Sequence, residues 1–392
     1  MYKFKQFKLV SLVLLVICIA SYLFLNKIKD NKNLIAYARE IVSHCSSSQY
    51  KPNCYEEEIS GLMSEVTMEE AFEVTKLVQK DDPSYAYCHV LGHKLSEIET
   101  AKDPTRWKDV IGRCPSGVCS NGCIHGAFQE RFRAEALSDQ EIEKNKSELA
   151  SVCEPRPGWD PTGLEQGTCY HALGHLLMYI TDANIHKSVS LCEELSKKSY
   201  NDWSQLCFDG AFMQIFQPLE PEDFALIEGK QPKREQMVSF CSAFGEKPKG
   251  SCWNESWPLS RDQILTSAGL NQFCTNSLLN EENQNRCFTA MFYVVTAQLQ
   301  FDLSKIKNLC VPLPGKRSAQ CFAQAAARLI ETDYGNISSA IKFCSEANND
   351  NDKNECFSEL AGFSKFNFHP ESEGFLKLCS SLPDKWKQEC LN

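Results

Sequence analysis

Ten cysteines each open an apolar or aromatic run: Cys54, Cys88, Cys123, Cys169, Cys207, Cys252, Cys287, Cys321, Cys356 and Cys390. Their spacings are 34, 35, 46, 38, 45, 35, 34, 35 and 34 residues. A period near 34 is the mark of stacked helical hairpins, each too small to bury its apolar face alone. Further cysteines close short amphipathic segments, as in Ile41-Val-Ser-His-Cys45, Val189-Ser-Leu-Cys192, Ile306-Lys-Asn-Leu-Cys310 and Phe375-Leu-Lys-Leu-Cys379. Each unit therefore reads as a helix A ending in Cys, a polar loop, and a Cys opening helix B. The loops carry turn residues, among them Pro314-Gly315, Asn348-Asn349-Asp350 and Pro383-Asp384.

Of the 21 cysteines, Cys18 lies in an apolar N-terminal segment, which leaves an even 20. Proximity pairs them across the loops as Cys45–Cys54, Cys114–Cys123, Cys153–Cys169, Cys192–Cys207, Cys241–Cys252, Cys274–Cys287, Cys310–Cys321, Cys344–Cys356 and Cys379–Cys390. Cys88 and Cys119 are left to pair with each other. Closing loops of this size stabilises each unit by about 3 kcal/mol in the chain-entropy picture. So many paired cysteines require an oxidising compartment.

The N-terminus agrees. Leu9 to Leu25 is a weakly polar or apolar run with lysines on both flanks. It is longer than the usual core of a signal peptide and at the short end of what spans a bilayer. The expected arrangement is a cytoplasmic stub (1–8), a transmembrane signal anchor (9–25) and a linker (26–33), with the bulk of the chain periplasmic or extracellular. Cleavage after Ala20, giving a secreted form, is the alternative. Lys3, Lys5, Lys8, Lys27, Lys29 and Lys32 against Asp30 give the first 32 residues a charge of +5, so the overall −10 leaves −15 for the rest. An acidic body is a poor partner for nucleic acid, whose binding depends on Lys and Arg displacing counterions.

In period and helix pairing the chain from about Leu34 resembles the tetratricopeptide and Sel1-like repeat solenoids, although the Trp/Leu/Gly/Tyr signature of the former is absent. The resemblance implies an all-α, right-handed α-solenoid of about ten disulfide-stapled hairpins, with a groove on which a protein or peptide partner can dock.

Two segments depart from simple scaffold. Cys88-His-Val-Leu-Gly-His93 has a twin in Cys169-Tyr-His-Ala-Leu-Gly-His175, and each is followed by a related one: Cys123-Ile-His-Gly-Ala-Phe128 and Cys207-Phe-Asp-Gly-Ala-Phe212. On a helix, residues i and i+4 share a face, so His89 pairs with His93 and His171 with His175. Counted from the cysteine of helix B, His125, His171 and Asp209 all stand at +2, and equivalent positions on neighbouring B helices lie side by side. Later units carry Phe-Thr-Ala, Phe-Ala-Gln and Phe-Ser-Glu after the cysteine. The expected division is thus N-terminal repeats with a histidine cluster (34–220) and C-terminal scaffold repeats (221–392).

The expected site is His89, His93 and His125 with His171, His175 and Asp209, as two sites or one dinuclear centre. Three imidazoles suit zinc or copper; two imidazoles and a carboxylate suit zinc or non-haem iron. Gly92, Gly174, Gly126 and Gly210 in matching places require something to approach the backbone closely, either a neighbouring helix or a ligand. No Cys-x-x-Cys-His, His-Glu-x-x-His, Gly-x-Ser-x-Gly or phosphate loop is present. If the protein is an enzyme, metal-dependent redox chemistry is favoured over hydrolysis. The rival readings are a disulfide-stapled interaction scaffold, a hydrogen-bonded polar seam between units, and metal-free acid–base histidines. His44, His186 and His369 are expected to be structural.

Overall fold

The computed structural model describes residues 33–85, 87–115, 117–132, 136–197, 201–219 and 221–392. The expected anchor at 9–25 lies outside these residues. Among the described residues no helix is long and apolar enough to cross a membrane, and there is no strand beyond two isolated bridges.

In chain order the helices are α1 (33–45), α2 (Lys51–Gly61), α3 (Met68–Asp81), α4 (His89–Ala101), α5 (Trp107–Arg113), α6 (Gly122–Arg131), α7 (Asp139–Ser151) and α8 (Gly163–Ile180). They continue with α9 (Ile185–Ser196), α10 (Ser204–Phe216), α11 (Pro221–Leu226), α12 (Met237–Ser242), α13 (Glu246–Glu255), α14 (Arg261–Ile264), α15 (Ser267–Cys274) and α16 (Glu281–Gln298). The last are α17 (Leu303–Cys310), α18 (Arg317–Thr332), α19 (Ile337–Ser345), α20 (Asp350–Asn367), α21 (Glu373–Ser381) and α22 (Asp384–Leu391). The nine loop-closing disulfides form as the spacing predicts, with Cα–Cα separations of 5.4 to 5.7 Å. Cys88 and Cys119 are also bonded, making ten disulfides. The staples sit in the core, since nearly every bonded cysteine is fully buried.

One expectation is corrected in detail. Cys88 and Cys123 do stand at the start of α4 and α6, but α8, α13, α16 and α20 each begin six residues before their cysteine. Caps account for three of these starts, those of α8, α16 and α20. Thr162 and Glu165 form a reciprocal capping box at the head of α8, while Asn280 and Asn349 accept from Asn283 N and Asp352 N. These side chains satisfy amide groups that would otherwise end the helix nearer the cysteine.

The residues divide into two compact units, one ending at Leu91 and the other Gly92–Asn392. In the first, Tyr55, Phe72 and Tyr85 are buried, and Lys51 and Tyr55 both bond Asp82. In the second, the B helices form a ladder in which α6 packs on α8, α8 on α10, α10 on α13, α13 on α16, α16 on α18 and α18 on α20. The ladder then returns on itself, for α20 packs against α8. There Phe366 stands over Gly163, where an added Cβ would lie 2.3 Å from the ring, and His369 Nε2 is 3.1 Å from Glu165 Oε2.

Neighbouring B helices in the second unit touch backbone to backbone. An added Cβ on Gly126 would sit 2.0 Å from the carbonyl oxygen of His93, and one on Gly210 would sit 2.0 Å from that of His171. Gly174 is equally close to the Cys207 oxygen, at 2.1 Å, so α8 and α10 meet through a reciprocal glycine pair. The approach anticipated at these glycines is that of a neighbouring helix.

Gly210→Ala and Gly126→Ala are therefore expected to destabilise the second unit by about 1–3 kcal/mol or more, because the clashing atom is backbone and cannot swing aside. Gly362→Ala, at a helical site on α20 with open space around it, should instead stabilise by about 0.5–1 kcal/mol. Urea unfolding of the three variants measures both signs.

Candidate metal centre

The glycine contacts bring the histidine-bearing faces together. His93 and His125 have ring centroids 5.0 Å apart, His125 and His175 5.4 Å, His125 and His171 5.7 Å, and His171 and His175 5.0 Å. Four rings from α4, α6 and α8 thus form one continuous group centred on His125. His89 stands one turn before His93 on the same helix, and His125 lies on α6. These three side chains are buried; His171 and His175 are partly so.

Burial governs their charge. Desolvation, with His175 nearby, holds His93 down to about 4. Desolvation also lowers His175, against the opposing effects of Gln214 and Asp223. At neutral pH both rings are therefore neutral, the form that donates a lone pair to a metal.

The contact between His171 and His175 is the most specific. Their Nε2 atoms are 3.2 Å apart. Two nitrogens bound to one ion at about 2.0–2.1 Å in tetrahedral geometry stand about 3.3–3.4 Å apart. His175 is also held from behind, with its Nδ1 2.6 Å from Gln214 Oε1. The Gln214 amide donates to Asp223 Oδ1 at 2.6 Å, Tyr179 donates to the same oxygen, and Asp223 Oδ2 accepts from the backbone N–H of Leu219 at 3.0 Å. A second nitrogen anchored this way is what metal-binding histidines require of their surroundings.

Asp209 stands differently from its expected place. Gly210 faces α8, so Gln214, four residues on, faces α8 as well, whereas Asp209 is rotated by about 100°. Its bonds are to Gln205, whose Nε2 is 3.3 Å from Asp209 Oδ1, and to Ser251 of α13. Gln205 in turn donates to Ser251. Glu255 of α13, which accepts from Gln217 at 2.6 Å, forms an acidic pair with Asp209. Burial pushes Asp209 up to about 6; burial and then the Asp209 charge push Glu255 well above the usual carboxylate range.

The residues overlooked in the sequence are Gln214, Asp223 and Tyr179. Gln214 had a signal in its spacing of four from Gly210; Asp223 had none, because α11 reaches the site only through tertiary packing. The other histidines lie apart: His44 is exposed near Glu58, His186 stacks on Phe244 at 4.7 Å, and His369 meets Glu165.

No protein-family model, curated protein or solved structure matches the chain. Fold and site define a class: an all-helical, disulfide-rich protein suited to an oxidising, extracytoplasmic setting, with a buried histidine cluster able to hold a metal.

The two buried groups pull stability in opposite directions with pH. His93 and His175 bind protons more weakly folded than unfolded, so acidification from about 6.5 to 4 removes stability. Asp209 and Glu255 bind protons more tightly folded, so their contribution is present at low pH and is lost as pH rises through about 6. Asp209→Asn should therefore gain stability relative to the parent at pH 7 and show no such gain at pH 4. Thermal melts at the two pH values check the sign.

Proposed function

We propose that this protein is an extracytoplasmic, membrane-anchored helical-repeat solenoid that binds a transition metal through His93, His125, His171 and His175. The observation that carries the reading is the 3.2 Å pair of Nε2 atoms, one of them fixed from behind by a glutamine–aspartate chain. The donor set favours zinc or copper, with iron third. All the ligands in reach are imidazoles, the cysteines are committed to disulfides, and the nearest acidic pair is engaged with α13. Bound there, a metal would supply Lewis-acid chemistry, or redox chemistry in the case of copper or iron. The protein supplies neutral ligands, low solvent access and a rigid frame stapled at every hairpin.

The second reading, an interaction scaffold in which the histidines form only a polar seam, draws support from the same His171–His175 contact taken as a hydrogen bond. Metal analysis separates the two. The whole chain, loaded with Zn2+ or Cu2+ and dialysed, should retain stoichiometric metal. His171→Ala/His175→Ala should lose most of it while keeping its helicity and disulfides. Absence of metal from the folded parent protein under every loading condition would decide for the seam.

A further inference from the structure

We propose that Asp223 is a positioning residue that sets the tautomer of His175, and through it the direction of the cluster's ligating lone pair. Asp223 accepts at both carboxylate oxygens, from Gln214 and Tyr179 at Oδ1 and from the backbone N–H of Leu219 at Oδ2. The Gln214 group facing it at 2.6 Å must therefore be the NH2, which turns Gln214 Oε1 toward His175. An amide oxygen also only accepts, so the ring nitrogen 2.6 Å away, Nδ1, carries the proton. In the neutral ring Nε2 then has the lone pair, aimed at His171 Nε2. In the metal-free protein His171 then donates its Nε2–H to His175. A carboxylate on α11 thus dictates, across one amide, which nitrogen of a ring on α8 is free to bind a metal.

The geometry also fixes what a single change would do. The backbone N–H of Leu219 donates to Asp223 Oδ2, 3.0 Å away, and needs an acceptor there. In Asp223→Asn the side-chain oxygen stays with this fixed backbone donor, which puts the new NH2 where Oδ1 was; the Tyr179 hydroxyl, which now donates to Oδ1, can rotate and accept from it. Two NH2 groups cannot face each other, so the Gln214 amide turns over and offers its own NH2 to His175 Nδ1. That nitrogen must then accept, the proton moves to Nε2, and the lone pair is withdrawn from the cluster. Adding Gln214→Glu to the same variant restores the original state, because a carboxylate accepts both from the amide introduced at position 223 and from His175 Nδ1–H.

The consequence for metal binding rests on the function proposed above; the tautomer itself does not. Imidazole 15N spectra of the whole metal-free chain at pH 7.5 read the tautomer, and Zn2+ titration reads the consequence. The expected result is Nδ1–H in the parent, Nε2–H in Asp223→Asn, and Nδ1–H again in Gln214→Glu/Asp223→Asn. Zn2+ affinity should fall about 10–100-fold in the single variant and recover in the double. Retention of Nδ1–H by a folded Asp223→Asn, or Nε2–H in the parent, would overturn the role of Asp223. The tautomer pattern without Zn2+ binding in any variant would uphold Asp223 and defeat the metal reading. Should Asp223→Asn fail to fold, the double variant decides: a folded double variant with Nε2–H overturns the proposal, and one with Nδ1–H sustains it.

Discussion

Helices α6 and α10 each press a glycine against the carbonyl of a histidine, on α4 and α8 respectively, and the site exists because nothing larger stands there. At packed-helix distances of about 8–10 Å, imidazoles from neighbouring B helices can touch only where the helices come closest. Gly126 beneath His93 and Gly210 beneath His171 set that closeness at the turn where the histidines emerge. Glycine within a helix costs about 1 kcal/mol relative to alanine. The disulfides offset such costs by restricting the unfolded chain, and they fix each A helix on its B helix. The ladder can then carry weak local sequence for the sake of a tight contact.

The repeat was legible because it is periodic and covalent. Cysteine spacing gave nine bridges, the helix pairs and the compartment, all of which depend on residues close in sequence. The register also placed His125 beside His171, since equivalent positions of adjacent copies do meet. It failed at Asp209 for a physical reason. Register gives height along a helix, while the face is set by which residue the neighbour touches, and Gly210 claimed the face toward α8. Helix starts were legible too, in Thr162-x-x-Glu165, but the apolar run beginning at the cysteine is a stronger pattern than a single cap. The return of α20 to α8 had no sequence signal, because the two helices meet only through the packing of all the helices between them. Phe366 over Gly163 and His369 beside Glu165 show the contact only after the turn is complete.

The inner faces of α8, α10 and α13 carry two chemistries side by side: neutral imidazoles on one seam and a proton-holding carboxylate pair on the next. Burial drives both, lowering His93 and His175 and raising the two acids. Neither group relies on a salt bridge with the other. Their hydrogen bonds run instead through glutamines: Gln214 for His175, Gln205 for Asp209 and Gln217 for Glu255. A primary amide passes an acceptor on one side and a donor on the other without carrying charge into the interior, where an unpaired charge is costly.

That choice bears on whether the histidine group is only a seam. Each neutral imidazole has one donor and one acceptor, and a seam needs only that these be matched somewhere. Nothing in matching requires a particular tautomer, and a protein indifferent to it would be served by a water or a hydroxyl behind His175. Here the nitrogen behind is held by an amide whose orientation is fixed by a carboxylate, itself held by a tyrosine and a backbone amide. Four groups specify one proton on one ring. Such over-specification has little value for packing, but it matters wherever the opposite lone pair must point at a ligand.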